Sequence, residues 1–179
     1  MFKLETTVLV LVDIQGKLAQ MMHEKDRFIE RNATLVRGMR ALDVPIVWVE
    51  HNPEGLGRTV PEVARHLDGL KPVEKNTFSC CGNEGFLEAL VEAGRKQILL
   101  AGMETHICIL LTALELVERG LEVQVVADAV SSRRLENKQN ALSRLRDAGV
   151  VVTNVETALY ELMRDAAHPR FREILKLIK

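Results

Sequence analysis

Cys108, Asp13 and Lys75 could together supply a nucleophile, a proton acceptor and a cation, and each stands at or just beyond the end of a short apolar run. Cys108 lies in Gly102-Met103-Glu104-Thr105-His106-Ile107-Cys108-Ile109, directly after the strand-like Gln97-Ile98-Leu99-Leu100-Ala101. Ile107 to Glu118 reads as a helix, with Ile107, Leu110, Leu111, Leu114 and Val117 on one face. The thiol is therefore expected in a helix's first turn, where free N–H groups and the positive dipole end favour a thiolate and lower its pKa. Asp13 closes Val8-Leu9-Val10-Leu11-Val12, an unbroken aliphatic run of the kind found in central parallel strands. A carboxylate there reaches the rim where open α/β sheets place their ligands. Lys75 ends Pro72-Val73-Glu74-Lys75 and precedes Asn76-Thr77-Phe78-Ser79.

Each residue also has an ordinary role when taken alone. A single cysteine is commonly a small apolar core residue. Asp13 could cap a helix, and Lys75 could be a solvated loop cation. His106 precedes Cys108 by two positions, a spacing that does not bring helical side chains together, so capping or surface contact is its reading. Cys80 and Cys81 read as loop packing, and a vicinal pair makes a poor structural disulfide. Glu50, His51, Asn52 and His66 lack the tight ligand spacing of a metal centre, so no metal and no cofactor are expected. Gly55-Leu56-Gly57 opens no helix directly after a strand and lacks the third glycine of a nucleotide loop. Gln15 and Phe78, beside Asp13 and Lys75, are candidate substrate-binding residues; Trp48 reads as core.

The elements that must position these residues alternate. Strands are predicted at 8–12, 44–49, 72–75, 97–101, 122–126 and 150–153. Helices are predicted at 26–42, 86–93, 107–118 and 136–148, with Gly94, Gly120 and Gly149 as stops. Alternation of this kind implies βαβ units and a three-layer α/β/α domain around a mostly parallel sheet of about six strands. The tail Phe171–Lys179 carries Phe171, Ile174, Leu175 and Ile178 at helical spacing, an apolar stripe that needs covering and points to self-association.

At 179 residues, with no repeat or linker, the chain reads as one domain over 1–179. A formal net charge of −1 gives no electrostatic reason to expect nucleic acid or an acidic membrane as partner. No apolar stretch approaches the ~20 residues of a bilayer span, and the N-terminus shows no signal-peptide pattern. Three cysteines form no disulfide framework, so a reducing cytoplasm is the expected location.

Four segments, in order, resemble the isochorismatase-like cysteine hydrolases. They are Val12-Asp13-Ile14-Gln15, Lys75-Asn76-Thr77-Phe78-Ser79, Gly102 to Cys108, and Asp128-Ala129-Val130-Ser131-Ser132-Arg133. Glu104-Thr105-His106, Ser131-Ser132-Arg133 and His168-Pro169-Arg170-Phe171 are most similar to the branch called isochorismatase-domain-containing proteins. The resemblance implies a doubly wound sheet and an Asp13–Lys75–Cys108 triad hydrolysing a small amide, carbamoyl or ureido compound through a Cys-bound acyl group. It further implies an oxyanion hole from the backbone N–H groups of Cys108 and Glu104, the latter after a cis Met103–Glu104 bond. Dimers or larger rings are common in the family, so a homo-oligomer is expected. Two other readings stay open: hydrolysis of an isochorismate-like vinyl ether, and a non-catalytic oligomeric scaffold that keeps the triad. Glu104 either repels anionic substrates or turns into a subunit contact.

Overall fold

A computed structural model describes residues 1–179. Six strands form one sheet in the order β3-β2-β1-β4-β5-β6, and every adjacent pair is parallel. They are β1 (Thr7–Val12), β2 (Ile46–His51), β3 (Val73–Lys75), β4 (Gln97–Met103), β5 (Glu122–Ser131) and β6 (Val151–Thr153). The order reverses between β1 and β4, so a cleft opens there at the strands' carboxyl ends, the usual ligand position of doubly wound sheets.

Nine helices surround the sheet: α1 (Gly16–Ala19), α2 (Lys25–Ala41), α3 (Pro53–Leu56), α4 (Pro61–Ala64), α5 (Glu84–Ala93), α6 (Leu110–Glu118), α7 (Leu135–Asp147), α8 (Val155–Met163) and α9 (Phe171–Ile178). The period-2 alternation of β1 explains the three layers. Leu9 and Leu11 face a core closed by α2, α4, α8 and α9, whereas Val8, Val10 and Val12 face one closed by α5, α6 and α7. All six residues of β1 are buried, as expected of a strand covered on both sides.

Two differences from the predicted elements bear on the cleft. β4 runs on through Gly102 and Met103, pressed against β1: a Cβ at Gly102 would lie 2.0 Å from the Val12 carbonyl oxygen, so only glycine permits this approach. β5 extends to Ser131, well past its predicted end. Leu100 pairs with Val125 and Gly102 with Val130, so β5 takes five steps where β4 takes two, and the bulge carries Ser131 to the rim. Within the bulge, Asp128 accepts a 2.8 Å hydrogen bond from the Val155 N–H at the start of α8.

The C-terminal stripe forms α9 as predicted, but its own chain covers it. Ile174 is fully buried, and Phe171, Leu177 and Ile178 pack on the same core as α2 and α8. The stripe therefore no longer supplies a reason for self-association. No helix is long and apolar enough to cross a membrane.

Candidate active site

Asp13, Lys75 and Cys108 come together from three strand ends, Asp13 and Cys108 lining one cavity and Lys75 buried behind them. Asp13 follows β1 with φ at +58°, a left-handed conformation that aspartate tolerates better than most residues, and its N–H is tied to the Val49 carbonyl at 3.0 Å. Lys75 is the last residue of β3, paired with His51 of β2, and its side chain is completely buried. Cys108 was predicted in the first turn of an α-helix. It lies instead in a π-helical turn, Thr105–Ile109, that precedes α6. In that turn Ile109 N–H reaches back five residues to the Glu104 carbonyl at 3.2 Å. Such one-turn insertions recur at functional sites.

The polar contacts centre on Lys75. Its Nζ donates to Asp13 Oδ2 at 2.8 Å and to the Thr77 carbonyl at 3.0 Å, and it stands 3.8 Å from Cys108 Sγ and 3.3 Å from His51 Nδ1. Asp13 Oδ1 is buried without a hydrogen-bond partner, and Asp13 and the thiol perturb one another's titration. Burial raises the Asp13 carboxyl above its ordinary range while the Lys75 ammonium opposes the rise, which makes Asp13 a stronger base than an exposed carboxylate. Burial works to lower Lys75, but the Asp13 charge and the neighbouring thiols more than offset it, so Lys75 titrates above an ordinary lysine and remains an ammonium.

The lowered thiol pKa expected for Cys108 is not found. Burial, then the Asp13 charge, pushes it up to about 12, with Lys75 and the Glu104 backbone opposing. The π turn gives the sulfur a buried place among apolar side chains, and desolvation of the thiolate exceeds what the helix start and the cation return. At rest the site therefore pairs a neutral thiol with a basic carboxylate.

The cavity has a volume of about 230 Å³ and is walled by Leu18, His51, Leu56, Phe78, Met103, Glu104, Ile107 and Arg133 besides Asp13 and Cys108. The Met103–Glu104 peptide bond is cis, and the Glu104 backbone acts to lower the Cys108 pKa. The Glu104 side chain is also buried; Oε1 accepts from Arg133 Nε, and Oε2 lies 3.2 Å from His106 Nδ1. His106 turns toward Ser132 Oγ, at 3.0 Å, and makes no contact with Cys108.

Phe78 reaches the cavity mouth and is 60% exposed, but Gln15 is placed elsewhere. Its amide is fully buried and spent on loop backbone: Nε2 donates to the carbonyls of His51 (3.1 Å) and Gly57 (2.7 Å), and Oε1 accepts the His51 N–H at 2.6 Å. Gln15 thus fixes the height of the loop behind the site. Glu50 and His51 point to opposite sides. Glu50 is buried against Thr59, accepting from its N–H and hydroxyl at 2.8 Å each, and accepts from Arg58 at 2.9 Å. His66 lies away from the site beside Arg65. Cys80 and Cys81 are free and buried in the core under α5 and α6.

Sequence reasoning missed His51 and Arg133 as parts of the wall. His51 carried a signal, because it is the last residue of a strand adjacent to the one ending in Asp13. Arg133 carried none apart from the motif in which it sits, since its approach depends on the β5 bulge.

Residues 7–157 match the isochorismatase domain model. A zebrafish protein named isochorismatase domain-containing protein 2 is 42% identical over 173 residues, covering 96% of this chain and 86% of its own. A solved structure of a MAR1 ribonuclease from Caenorhabditis elegans superposes with a TM-score of 0.93 at 33% identity, covering 99% of this chain and 91% of its own. YcaC from Pseudomonas aeruginosa, solved with hexane-2,5-diol and covalent acrylamide, gives a TM-score of 0.93 at 25% identity, covering 98% of this chain and 90% of its own.

Proposed function

The chain belongs to the isochorismatase family of hydrolases, and from that premise we propose that it is a cysteine hydrolase cleaving a C–N bond in a small amide, carbamoyl or ureido compound. The observation that carries this reading is Lys75 Nζ, 2.8 Å from Asp13 and 3.8 Å from the Cys108 sulfur, directly behind the cavity that Asp13 and Cys108 line. The P. aeruginosa neighbour supports it, because acrylamide is a thiol-selective electrophile and is covalently held in that protein.

In the proposed reaction Asp13 takes the thiol proton as Cys108 Sγ attacks the substrate carbonyl carbon. The C–S bond forms, and the N–H groups of Cys108 and Glu104 hold the oxyanion. The C–N bond then breaks, and Asp13 returns the proton to the leaving nitrogen. Water, deprotonated by Asp13, attacks the thioester; the C–S bond breaks, the acid leaves and the thiol is restored. Lys75 keeps Asp13 ionised before each transfer and stabilises the thiolate as it forms. A thiol titrating near 12 suits this scheme, since the thiolate appears only when a carbonyl arrives to consume it. Arg133 in the cavity wall and Lys75 behind it are both paired with buried carboxylates, which gives no support to cleavage of a polyanionic backbone.

A screen of amides, carbamoyl compounds and ureido acids for ammonia release tests the reading. Cys108→Ala should abolish turnover and Cys108→Ser most of it, both with unchanged circular dichroism; full activity in the alanine variant removes the thiol from the mechanism. Release of pyruvate from an isochorismate-like ether, retained in Cys108→Ala, favours the vinyl-ether reading instead. Failure of every substrate together with an inert Cys108 favours the scaffold. Self-association belongs to the same proposal and rests on Phe78, which a neighbouring copy would cover; a single 20.1 kDa species in light scattering overturns it.

A further inference from the structure

We infer that the Glu104 side chain restricts this cavity to uncharged substrates, because it holds the one cation that an anionic substrate could use. The inference rests on the hydrolase reading and narrows its substrate class. The lining brings two carboxylates, Asp13 and Glu104, and one cation, Arg133, while Lys75 lies buried behind Asp13, so the formal charges of the two pairs cancel.

Neither cation is available to an incoming carboxylate. Lys75 is sealed at the base, its ammonium spent on Asp13 and the Thr77 carbonyl at 2.8 and 3.0 Å. Arg133 is half exposed but gives its Nε to Glu104. The Glu104 carboxyl is itself buried, and its Oε2 has no hydrogen-bond partner in the protein. A substrate that drew Arg133 away would leave the buried carboxylate with only the His106 ring, 3.2 Å from Oε2, beside it, a desolvation penalty that weakens binding. It would also lose its own water shell beside two carboxylates. A neutral amide escapes both penalties: its carbonyl needs only dipoles, and its remainder can rest on Leu18, Leu56 and Phe78. Selectivity here comes from a repulsive element as much as from an attractive one.

Two electrophiles of nearly equal shape test this: iodoacetamide, which is neutral, and iodoacetate, which is anionic. In either case Cys108 sulfur displaces iodide, the C–S bond forming as the C–I bond breaks, and the thiol proton goes to Asp13. Alkylation rates at Cys108 are followed by intact mass, with Cys108→Ala as control, and the ratio of rates is divided by the same ratio on glutathione. The wild type should prefer iodoacetamide by at least about tenfold beyond the free thiol, a lower bound, since one uncompensated unit charge at about 4 Å and an effective dielectric of about 20 would give more. Glu104→Gln should erase or reverse that preference, Arg133→Gln should increase it, and the double variant should fall near the free-thiol value. A preference unchanged by Glu104→Gln and Arg133→Gln overturns the inference. Should Glu104→Gln fail to fold, the sign of the Arg133→Gln shift decides. Should neither reagent alkylate Cys108, the nucleophile reading fails by itself. The preference is then read from saturation-transfer NMR of propionamide against propionate on the same variants, and equal contact of both with the wild type overturns it.

Discussion

Two ion pairs border the cavity, and they differ in what surrounds the cation. In Asp13–Lys75 both side chains are sealed, at 5% and 0% exposure; in Glu104–Arg133 the carboxylate is as deep, at 5%, but the guanidinium is half in water at 50%. The sealed pair cannot rearrange without stranding a charge, so its geometry is available to hold a reacting centre. The half-open pair can exchange one nitrogen's partner for water, which suits it to tuning what enters. Burial of the second partner thus separates a group that works on the bond from one that selects the molecule.

The largest expected effect comes from breaking the sealed pair. Lys75→Met should cost about 3–5 kcal/mol, the usual penalty for removing one member of a buried pair, read from the urea midpoint. It should also remove turnover. Its pH dependence sharpens the contrast. Burial already raises the Asp13 pKa, and without the ammonium it rises further. The folded state then holds a proton that the unfolded chain, with its lower pKa, has released, so stability falls as pH rises through the folded value. Stability of Lys75→Met that increases between pH 5 and 8 would refute this assignment.

Next comes the half-open pair. Arg133→Gln should cost about 1–3 kcal/mol, because Glu104 is left unpaired where water can enter. If it proves as destabilising as Lys75→Met, the distinction between the pairs is lost. The resting protonation state gives a third measurement. With the thiol at about 12, the ultraviolet absorbance of a thiolate, taken as the difference from Cys108→Ala, should be absent at neutral pH and grow only in alkali, whereas a thiolate already formed would show it near neutrality. The smallest effect belongs to a third pair, Glu50–Arg58. Its guanidinium is 65% exposed, and Glu50 keeps both Thr59 bonds without it, so Arg58→Ala should change stability by less than about 1 kcal/mol.

Much of this arrangement was legible before any coordinates. Unbroken aliphatic runs such as 8–12 mark strands buried on both faces, and the reversal they imply places Asp13 and Cys108 beside one cleft. Lys75 was legible through its segment, although β3 is only three residues long. What stayed hidden depends on distant contacts. The π turn needs Ile109 to reach the Glu104 carbonyl, which no local spacing announces. The β5 bulge needs β4 as its ruler, so the strand seemed to stop near Val126 when it continues to Ser131. The raised thiol pKa reflects how many apolar neighbours close over Cys108, a property of the packed molecule. Gln15, correctly adjacent to Asp13 in sequence, turns the other way because successive residues past a strand end need not share a face.

Lys75 sits in a border strand of the sheet, whose ladder pairs only with Val49, Glu50 and His51 of β2. Short border strands open at lower free energy than central ones. When β3 peels away, the ammonium leaves with it, and the remaining sheet can stay folded around a carboxyl and a thiol that no longer cooperate. Warming or mild denaturant should therefore silence the protein before its far-ultraviolet signal changes, with amides of Val73–Lys75 exchanging deuterium earlier than those of β1. Catalytic competence here reports on the integrity of a short border strand.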